Sequence, residues 1–337
     1  MVTVTALEPA DVPAAGVLLA ARHAALRARF PLLPAACVDP VVAATLVGET
    51  LRFSDGVAAR DASGALIGFL TSFDAAPDPA SPMARYAPQR CALHLVHGHA
   101  VAAGTDPLPT YNALFAELAS RALERGVTDH VVHVPLGDPS IETAWVALGF
   151  GRANVVAVRD LSPPGRPSLV DVEVRIATPE ELDVVDRLVD EEAVFHASSP
   201  IFRPYVRAAT ADEVRRQLTT DLPSSDHAFL VARRAGRDVG VLSIGPGLGS
   251  PLYVPDDAAY IAATAVLAGE RGRGIGVALV EAAFAWARDR GHGAACLHFA
   301  TANASSTAFW MGLGFVPVMA HLRRRLDDRI LTARPPA

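Results

Sequence analysis

Arginine and glycine alternate in a short segment of the chain, residues 271–276, which has the sequence RGRGIG. Glycine has no side chain, so the backbone there can approach a ligand closely. An apolar stretch precedes the segment and a helical pattern follows it, which places the segment at a helix N-terminus. Unpaired N–H groups and the positive end of the helix dipole bind anions at such a point, and arginine adds charge-assisted hydrogen bonds. The segment therefore predicts a turn that binds phosphate.

Two other kinds of phosphate loop do not fit this segment. A Walker A loop requires Gly-Lys-Ser/Thr, and the chain contains no lysine. A dinucleotide-binding fingerprint requires a glycine three residues after Gly276, where the chain has Leu279. A glycine turn that binds nothing remains as the structural alternative.

The elements that must position this turn follow from the hydrophobic pattern of the second half. We predict strands at 172–176, 259–267, 294–300 and 317–325, a hairpin formed by 228–233 and 239–244, and helices at 276–290 and 305–311. This order predicts an α/β fold in which a mixed sheet carries helices on both faces.

The first half of the chain repeats this pattern. An offset of 165 residues aligns Trp145 with Trp310, His133 with His298, and the Leu-Gly-Phe segments 148–150 and 313–315. A proline-rich segment, 162–169, separates the two copies, and proline is incompatible with the interior of a helix or a strand. We therefore predict a domain at 1–161, a linker at 162–169 and a second domain at 170–337.

The glycine-rich segment resembles the acetyl-CoA motif of the GCN5-related N-acetyltransferase (GNAT) family, with Arg271, Gly274 and Gly276 at the motif positions. Asn303, together with the aromatic residues and the Leu-Gly-Phe segment that follow it, resembles a second GNAT motif. The element order over 172–326 also resembles the family, and the first half does so more weakly. The chain thus resembles a tandem GNAT protein, which implies two domains, each a twisted mixed sheet with helices on both faces.

The resemblance implies that acetyl-CoA is the cosubstrate and that its acetyl group passes to an amine. Backbone groups of the fourth strand would pair with the pantetheine arm, the glycine-rich turn would hold the pyrophosphate, and Asn303 would contact the arm from the other side of a splayed strand pair. The residues implied in acetyl-CoA binding are Val266, Leu267, Ala268, Arg271, Gly272, Arg273, Gly274, Ile275, Gly276, Val277, Asn303, Phe309 and Trp310. The alternatives are that Val266 belongs to the core and that Asn303 is a helix N-cap.

Two catalytic positions depart from the family. Tyr260 stands where many members have a glutamate as general base, and Trp310 stands where many have a tyrosine as general acid. An alkylammonium with a pKa of about 10.4 loses its proton at pH 7 at a cost of about 4.6 kcal/mol, so a base is required unless the amine is already neutral. The candidates for this base are Asp256, Asp257, Glu191, Glu192, His196 and His298. The recurrence of His298 as His133 in the first half favours a structural role for it.

The acceptor cannot be identified from the sequence. We expect Glu192, Phe195, His196, Phe202 and Tyr205 to contact it, and a mixture of aromatic and charged residues suits a small-molecule amine or a peptide end. Two other hypotheses remain: a CoA-binding regulator without turnover, and transfer to oxygen or transfer of a longer acyl group.

The first half lacks the phosphate-binding residues. Under the 165-residue offset, the three motif positions are occupied by Asp106, Pro109 and Tyr111. An anion repels pyrophosphate, proline has no N–H to donate, and a bulky ring blocks the approach of the ligand to the backbone. We therefore predict a single acetyl-CoA site, in the second half.

Composition excludes several classes of protein. Hydrophobic residues make up 51% of 337 residues and the net charge is −6, which excludes a disordered chain and argues against a nucleic-acid partner. Apolar runs are too short for a membrane span. Three cysteines without a CxxC pair predict a reduced, cytoplasmic protein without disulfides, and we expect a monomer or a homodimer.

One cluster has residue types that bind metals, namely Cys91, His94, His97 and His99. On an extended strand, Cys91 and His97 would lie about 20 Å apart, so only His97 and His99 would share a face at close range. We therefore predict no metal site.

Overall fold

The computed structural model describes residues 2–80, 88–165, 171–199, 201, 207–247 and 249–332. The strands are β1 (Thr3–Ala6), β2 (Asp55–Arg60), β3 (Leu66–Ala75), β4 (Cys91–His94), β5 (His99–Val101), β6 (Asp129–Pro135), β7 (Gly151–Asp160), β8 (Glu173–Ile176), β9 (Ala228–Arg234), β10 (Arg237–Pro246), β11 (Ala258–Val266), β12 (Ala294–Ala300) and β13 (Val316–Arg325). The helices are α1 (Val12–Arg29), α2 (Pro40–Leu51), α3 (Pro107–Glu124), α4 (Pro139–Ala147), α5 (Leu182–Ala197), α6 (Arg207–Asp221), α7 (Ile275–Asp289) and α8 (Ala304–Gly312).

The two halves have the same order of elements, except that β4 and β5 of the first half correspond to β11 of the second, so the internal repeat and the mixed α/β fold are confirmed. Most predicted bounds agree within one or two residues. The hairpin between β9 and β10 is tighter than predicted, because Ala235 and Gly236 both have positive φ, 47° and 74°, as a two-residue turn requires. The predicted linker falls partly on residues 166–170, which lie outside the described residues, and the domain boundaries remain a prediction.

A single sheet runs through both halves instead of one sheet for each. Its order is β1-β2-β3-β4-β6-β13-β7-β12-β11-β10-β9-β8, with β5 paired to β3. The last strand of each half joins the sheet beside the other half: β13 pairs with β6 from Met319↔Pro135 to Arg325↔Asp129, and β7 pairs with β12. The halves are therefore interlocked by an exchange of their terminal strands.

Helices cover both faces of this sheet, as predicted. On one face, α3, α4, α7 and α8 pack on an apolar core that continues across both halves and includes Tyr111, Trp145 and Phe284. On the other face, α1 and α2 cover a core around Leu19, and α5 and α6 cover a core around Leu188. No helix in the described part of the chain is long and apolar enough to span a membrane.

Helix α7 carries the glycine-rich turn at its N-terminus. Its buried residues include Leu279, Ala283 and Ala287, which are four residues apart, and Phe284 beside them, so one stripe faces the sheet. The helix ends before Gly291, whose positive φ of 81° terminates the helical conformation. This apolar stripe fixes the position of the turn against β11 and α8.

Candidate active site

A cavity of about 830 Å³ lies where β11 and β12 separate. The two parallel strands pair from Ala258↔Ala294 to Ile261↔Leu297. Beyond that point β11 stays with β10, as far as Val266, while β12 stays with β7, as far as Ala300. The strands therefore diverge, and the cavity occupies the slot between them.

A β-bulge bends β11 at the point where the slot begins. Between the pairs Leu242↔Thr264 and Ile244↔Ile261, β11 contains one more residue than β10. The hydroxyl of Ser243 accepts a hydrogen bond from the N–H of Ala263 at 2.8 Å, which satisfies a backbone group that the bulge removes from the regular ladder. Ser243 thus stabilises the bend, and sequence analysis did not identify it.

The glycines of the turn have different roles. Gly272 and Gly274 have φ of 76° and 85°, a conformation that other residues rarely adopt. Gly274 is the N-cap of α7 and supplies no side-chain cap, so the first N–H groups of the helix have no acceptor from it. Gly276 instead makes room for packing, because a Cβ there would lie 3.0 Å from Cζ of Phe309.

The arginines of the turn are held by specific contacts. The guanidinium of Arg271 lies 4.6 Å from the ring centroid of Phe195, and its Nε donates to the carbonyl of Val266 at 2.9 Å. Nε of Arg273 lies 3.5 Å from the carboxylate of Glu270, which also pairs with two arginines of the β9–β10 hairpin. The turn is thus cationic, and the carboxylate of Glu270 holds the side chain of Arg273 in place.

Leu267 and Ala268, which the resemblance assigns to acetyl-CoA binding, are not among the residues that line the cavity. The N–H of Leu267 donates to the carbonyl of Val239 at 2.9 Å, and Ala268 begins a 3-10 turn that ends at Glu270. The other residues assigned to acetyl-CoA from sequence all line the cavity.

The wall formed by α8 combines a helix cap with aromatic rings. Oδ1 of Asn303 accepts from the N–H of Ser306 at 3.1 Å and from the hydroxyl of Ser305 at 2.9 Å. Asn303 is therefore an N-cap, as the structural alternative proposed, and it also lines the cavity. The ring of Trp310 is buried and lies 4.8 Å from that of Phe309, between ring centroids.

Tyr260 and His298 form a pair at the closed end of the slot. The hydroxyl of Tyr260 and Nδ1 of His298 are hydrogen-bonded, and the rings stack with centroids 5.9 Å apart and an interplanar angle of 15°. His298 lines the cavity. The pairing of β11 with β12 brings these two residues together, which the sequence spacing alone did not indicate.

The last turns of α5 form the opposite wall. Glu191, Glu192, Phe195 and His196 line the cavity, and Nδ1 of His196 lies 3.9 Å from the Glu192 carboxylate. The predicted acceptor residues Phe202 and Tyr205 lie outside the described residues.

Two of the six candidate bases lie at a different end of the strand. Asp256 and Asp257 are exposed and precede β11, at the end where β11 and β12 are still paired. The structure brings the other four candidates, namely Glu191, Glu192, His196 and His298, to the cavity.

A comparison with family models agrees with this geometry. Residues 192–315 match the model of the acetyltransferase (GNAT) family, a span from the end of α5 to the segment before β13. The C-terminal half contains a GNAT domain.

Solved structures share the fold of the whole chain. A GCN5-related N-acetyltransferase from Sphaerobacter thermophilus is 17% identical, with a TM-score of 0.53, covering 96% of this chain and 95% of that chain. A glucosamine N-acetyltransferase region of a fungal multi-domain GH3 β-N-acetylglucosaminidase is 15% identical, with a TM-score of 0.52, covering 96% of this chain and 38% of that chain. At these identities the likeness concerns the fold alone. A tandem GNAT protein from the clavulanic acid biosynthesis pathway is 19% identical, with a TM-score of 0.48, covering 96% of this chain and 98% of that chain. A search of curated proteins finds no significant match.

The first half has a corresponding slot, and side chains fill it. Strand β4 pairs with β6 only as far as His94↔Val132, and β5 then pairs with β3. His99, which aligns with Thr264 of the GNAT domain, donates from Nε2 to the carbonyl of His133 at 2.9 Å and so bridges the gap. Burial lowers the pKa of His99 well below its ordinary value, so the ring is neutral and Nδ1 can accept from the hydroxyl of Tyr111 at 2.8 Å.

Other side chains also fill the slot of the first half. Tyr111, which replaces Gly276, packs against Trp145 with ring centroids 4.9 Å apart and an interplanar angle of 37°. The buried guanidinium of Arg22 donates to the carbonyls of His99 and Val96 at 2.5 and 2.6 Å. Asp106, which aligns with Arg271, caps α3 by accepting from the N–H of Leu108 at 3.1 Å, so the N-cap of this helix is a carboxylate whereas the N-cap of α7 is a glycine. The sequence indicated Tyr111 and Asp106 for this slot, whereas it indicated His99 only as a residue type that binds metals and did not indicate Arg22.

The cluster with metal-binding residue types is part of the same core. Nδ1 of His94 lies 2.9 Å from the carbonyl of Thr71, and Nδ1 of His97 lies 3.5 Å from the hydroxyl of Ser250. In the described ranges, no three His, Cys, Asp or Glu side chains are grouped as metal ligands.

Proposed function

We propose that the GNAT domain transfers an acetyl group from acetyl-CoA to an amine. The observation that carries this proposal is the slot between β11 and β12, which lies beside the N-terminus of α7 where Gly274 leaves the helix without a side-chain cap. An extended pantetheine arm fits such a slot, and the diphosphate fits the helix N-terminus. From Val266 to Ile261 the slot is about 17 Å long, at 3.3 Å per residue.

The turn would hold the diphosphate through backbone and arginine donors. An exposed helix dipole contributes about 0.3–1 kcal/mol, so the N–H groups of the first turn and the arginines must supply most of the affinity. Arg271 would exchange its contact with the Val266 carbonyl for one with phosphate, and this change would free that carbonyl for the pantetheine arm. The stacking of Arg271 on Phe195 keeps the guanidinium near the cavity.

When bound, acetyl-CoA supplies a thioester whose carbonyl carbon an amine attacks. The chain must bind that amine, remove its extra proton and exclude water. Glu191 and Glu192 form a negatively charged wall of the cavity, which favours an acceptor with a cationic nitrogen. Trp310 is packed among aromatic rings and its only polar group is an indole N–H, so we assign it a packing role. The acceptor class we propose is a small-molecule amine or the amino end of a peptide.

We further propose that the first half binds no acetyl-CoA. The His99 bridge, the Tyr111 ring and the Asp106 cap occupy the places that the arm and the diphosphate would need. The role of the first half is then structural: it keeps its own fold, and its strand β7 pairs with β12 of the GNAT domain. No nucleic acid and no membrane take part in this proposal, and the protein acts as a monomer or homodimer.

A reduced, cytoplasmic setting belongs to the same proposal. Cys37, Cys91 and Cys296 are buried and form no disulfide. Burial raises the pKa of the Cys91 thiol to about 11, so this residue is a poor thiolate. Buried neutral thiols suit a compartment in which disulfides do not form.

The second candidate function is acetyl-CoA binding without turnover, which the replacement of the usual acid and base by Trp310 and Tyr260 favours. Transfer to oxygen and transfer of longer acyl groups are variants of the first. The test measures thiol release from acetyl-CoA with putrescine, tyramine, glucosamine and a dipeptide, alongside calorimetric binding of acetyl-CoA. Thiol release that depends on an amine supports the enzyme. Micromolar binding without thiol release for any acceptor would refute it in favour of the regulator.

A further inference from the structure

We infer that His298 removes the proton from the acceptor's ammonium group and that Tyr260 positions the imidazole for this step. The inference rests on the proposed amine acetyltransferase function and names the base that the sequence left open. It begins with the hydrogen bond between the Tyr260 hydroxyl and Nδ1 of His298, at the closed end of the slot.

Position along the strands is the first argument. The last paired residues of β11 and β12 are Ile261 and Leu297, so His298 is the first residue of β12 beyond the point of divergence. The diphosphate would lie at the other end of the slot, beside Gly274. The acyl end of an extended arm therefore reaches the region of His298, and the attacking nitrogen must be there as well.

Chemistry is the second argument. A general base needs a lone pair directed at the substrate and a fixed tautomer. If Nδ1–H donates to the oxygen of Tyr260, the lone pair of the imidazole lies on Nε2. The parallel stacking of the two rings, at 15°, restrains the imidazole, and the pairing of His298 with Val156 of β7 holds its backbone. Glu191, Glu192 and His196 of α5 also line the cavity and are the competing titratable groups.

The comparison of the two halves separates a structural from a chemical role. His133 aligns with His298, but the residue that aligns with Tyr260 is Leu95, and His133 stacks on His321 with centroids 4.1 Å apart. The histidine is thus common to both halves, whereas its phenol partner occurs in the half that has the open cavity. A purely structural histidine does not require that partner.

The step balances without any further reactant. The neutral imidazole takes one proton from the ammonium group, and the resulting amine forms the C–N bond with the thioester carbon as the C–S bond breaks. The nitrogen loses its second proton as the sulfur becomes a thiol, and the imidazolium returns its proton to solvent. His298 is the catalytic residue of this step, and Tyr260 is a positioning residue.

The test measures kcat/KM against pH, with putrescine or tyramine as acceptor, for wild type and variants. His298→Asn should lower kcat/KM at pH 7 about 100-fold and leave acetyl-CoA affinity unchanged. Its deficit should shrink as the pH approaches about 10.4, where an alkylamine is itself neutral. Tyr260→Phe keeps the ring stack but removes the oxygen that accepts from the imidazolium. This variant should lower kcat/KM less than His298→Asn does. It should also move the acidic limb of the pH profile to lower pH, because the imidazolium loses a hydrogen-bond acceptor.

A matched control is His292→Asn, which removes a histidine outside the cavity and should leave the profile unchanged. The inference would be overturned if the acidic limb of the pH profile of kcat/KM were unchanged in both His298→Asn and Tyr260→Phe. It would also be overturned if that limb disappeared in Glu192→Gln instead. If His298→Asn does not fold, the shift in Tyr260→Phe decides. No thiol release by the wild type with any amine refutes the proposed function as well, whereas an active wild type with an unshifted Tyr260→Phe refutes this inference alone.

Discussion

The cap of α7 offers a direct test of the diphosphate site, because the first half shows what a carboxylate cap looks like. We compare Gly274→Asn with Gly274→Asp. Both side chains tolerate the positive φ of 85° better than other residues do, and they have nearly the same shape. The pair therefore differs mainly in one negative charge at the N-cap of α7, as Asp106 places one at the N-cap of α3.

The expected magnitude follows from Coulomb's law. Two unit charges 4 Å apart interact by about 1 kcal/mol in water and about 4 kcal/mol at an effective dielectric constant of 20. The site is open to solvent, so the lower interaction energy applies to each pair of charges. A diphosphate carries more than one negative charge, so the repulsion from Asp is the sum of more than one such pair. We expect Gly274→Asp to bind acetyl-CoA at least tenfold more weakly than Gly274→Asn, a difference of about 1.4 kcal/mol.

Titration calorimetry with acetyl-CoA measures this difference, and thermal melting checks that both variants are folded. Salt should reduce the gap between the two variants, because it screens exposed charges over about 10 Å at 0.1 M. Equal affinities for Asp and Asn at low salt would show that no phosphate lies at Gly274, and the assignment of the turn would then be wrong.

Three further predictions concern other parts of the chain. Trp310→Phe should retain most of the amine-dependent activity, since the ring packs against Phe309 and Phe315, and Trp310→Tyr should match or exceed it; a collapse of turnover in Trp310→Phe with intact acetyl-CoA affinity would show a chemical role for the indole. Calorimetry should give one acetyl-CoA site per chain, abolished by Arg271→Ala and kept in His99→Thr; a stoichiometry of two would contradict the plugged first half. The melting temperature should fall as the pH drops from about 6.5 towards 4, because burial lowers the pKa of His94 and of His321 to about 4 while the unfolded chain takes up protons near pH 6.5. Each of these histidines contributes about 1.4 kcal/mol per pH unit in that window, and His321→Leu should flatten the slope, whereas an unchanged melting temperature between pH 7 and 5 would contradict this account.

Local patterns were sufficient for much of this fold. The strand at Ala294–Ala300 and the helix that follows the glycine-rich segment are set by their own apolar residues, and the structure has them where the sequence predicts. The turn is also local, because glycine is the residue that best adopts the positive φ at 272 and 274. Fold class and family follow from such short-range signals.

Other features depend on residues far apart in the sequence. The bridge from His99 to the carbonyl of His133 exists because β5 and β6 diverge, and no spacing rule encodes it. The pair Tyr260 and His298 depends on the register of two parallel strands, with Tyr260 opposite Cys296. The sequence made His298 one of six candidate bases without favouring it, because its partner Tyr260 can be identified only from that register.

The exchange of β7 and β13 also constrains the order of synthesis. Strand β6 keeps an open edge until residues 316–325 have left the ribosome, because β13 is the strand that pairs with that edge. The first half therefore cannot complete its sheet before the second half exists, which departs from the usual folding of one domain after another. Conversely, a chain shortened to the GNAT domain would leave β12, the strand of His298, without the neighbour it has from Ala294 to Ala300. The first half, whose slot is filled by side chains, is thus still the lateral support of the GNAT domain.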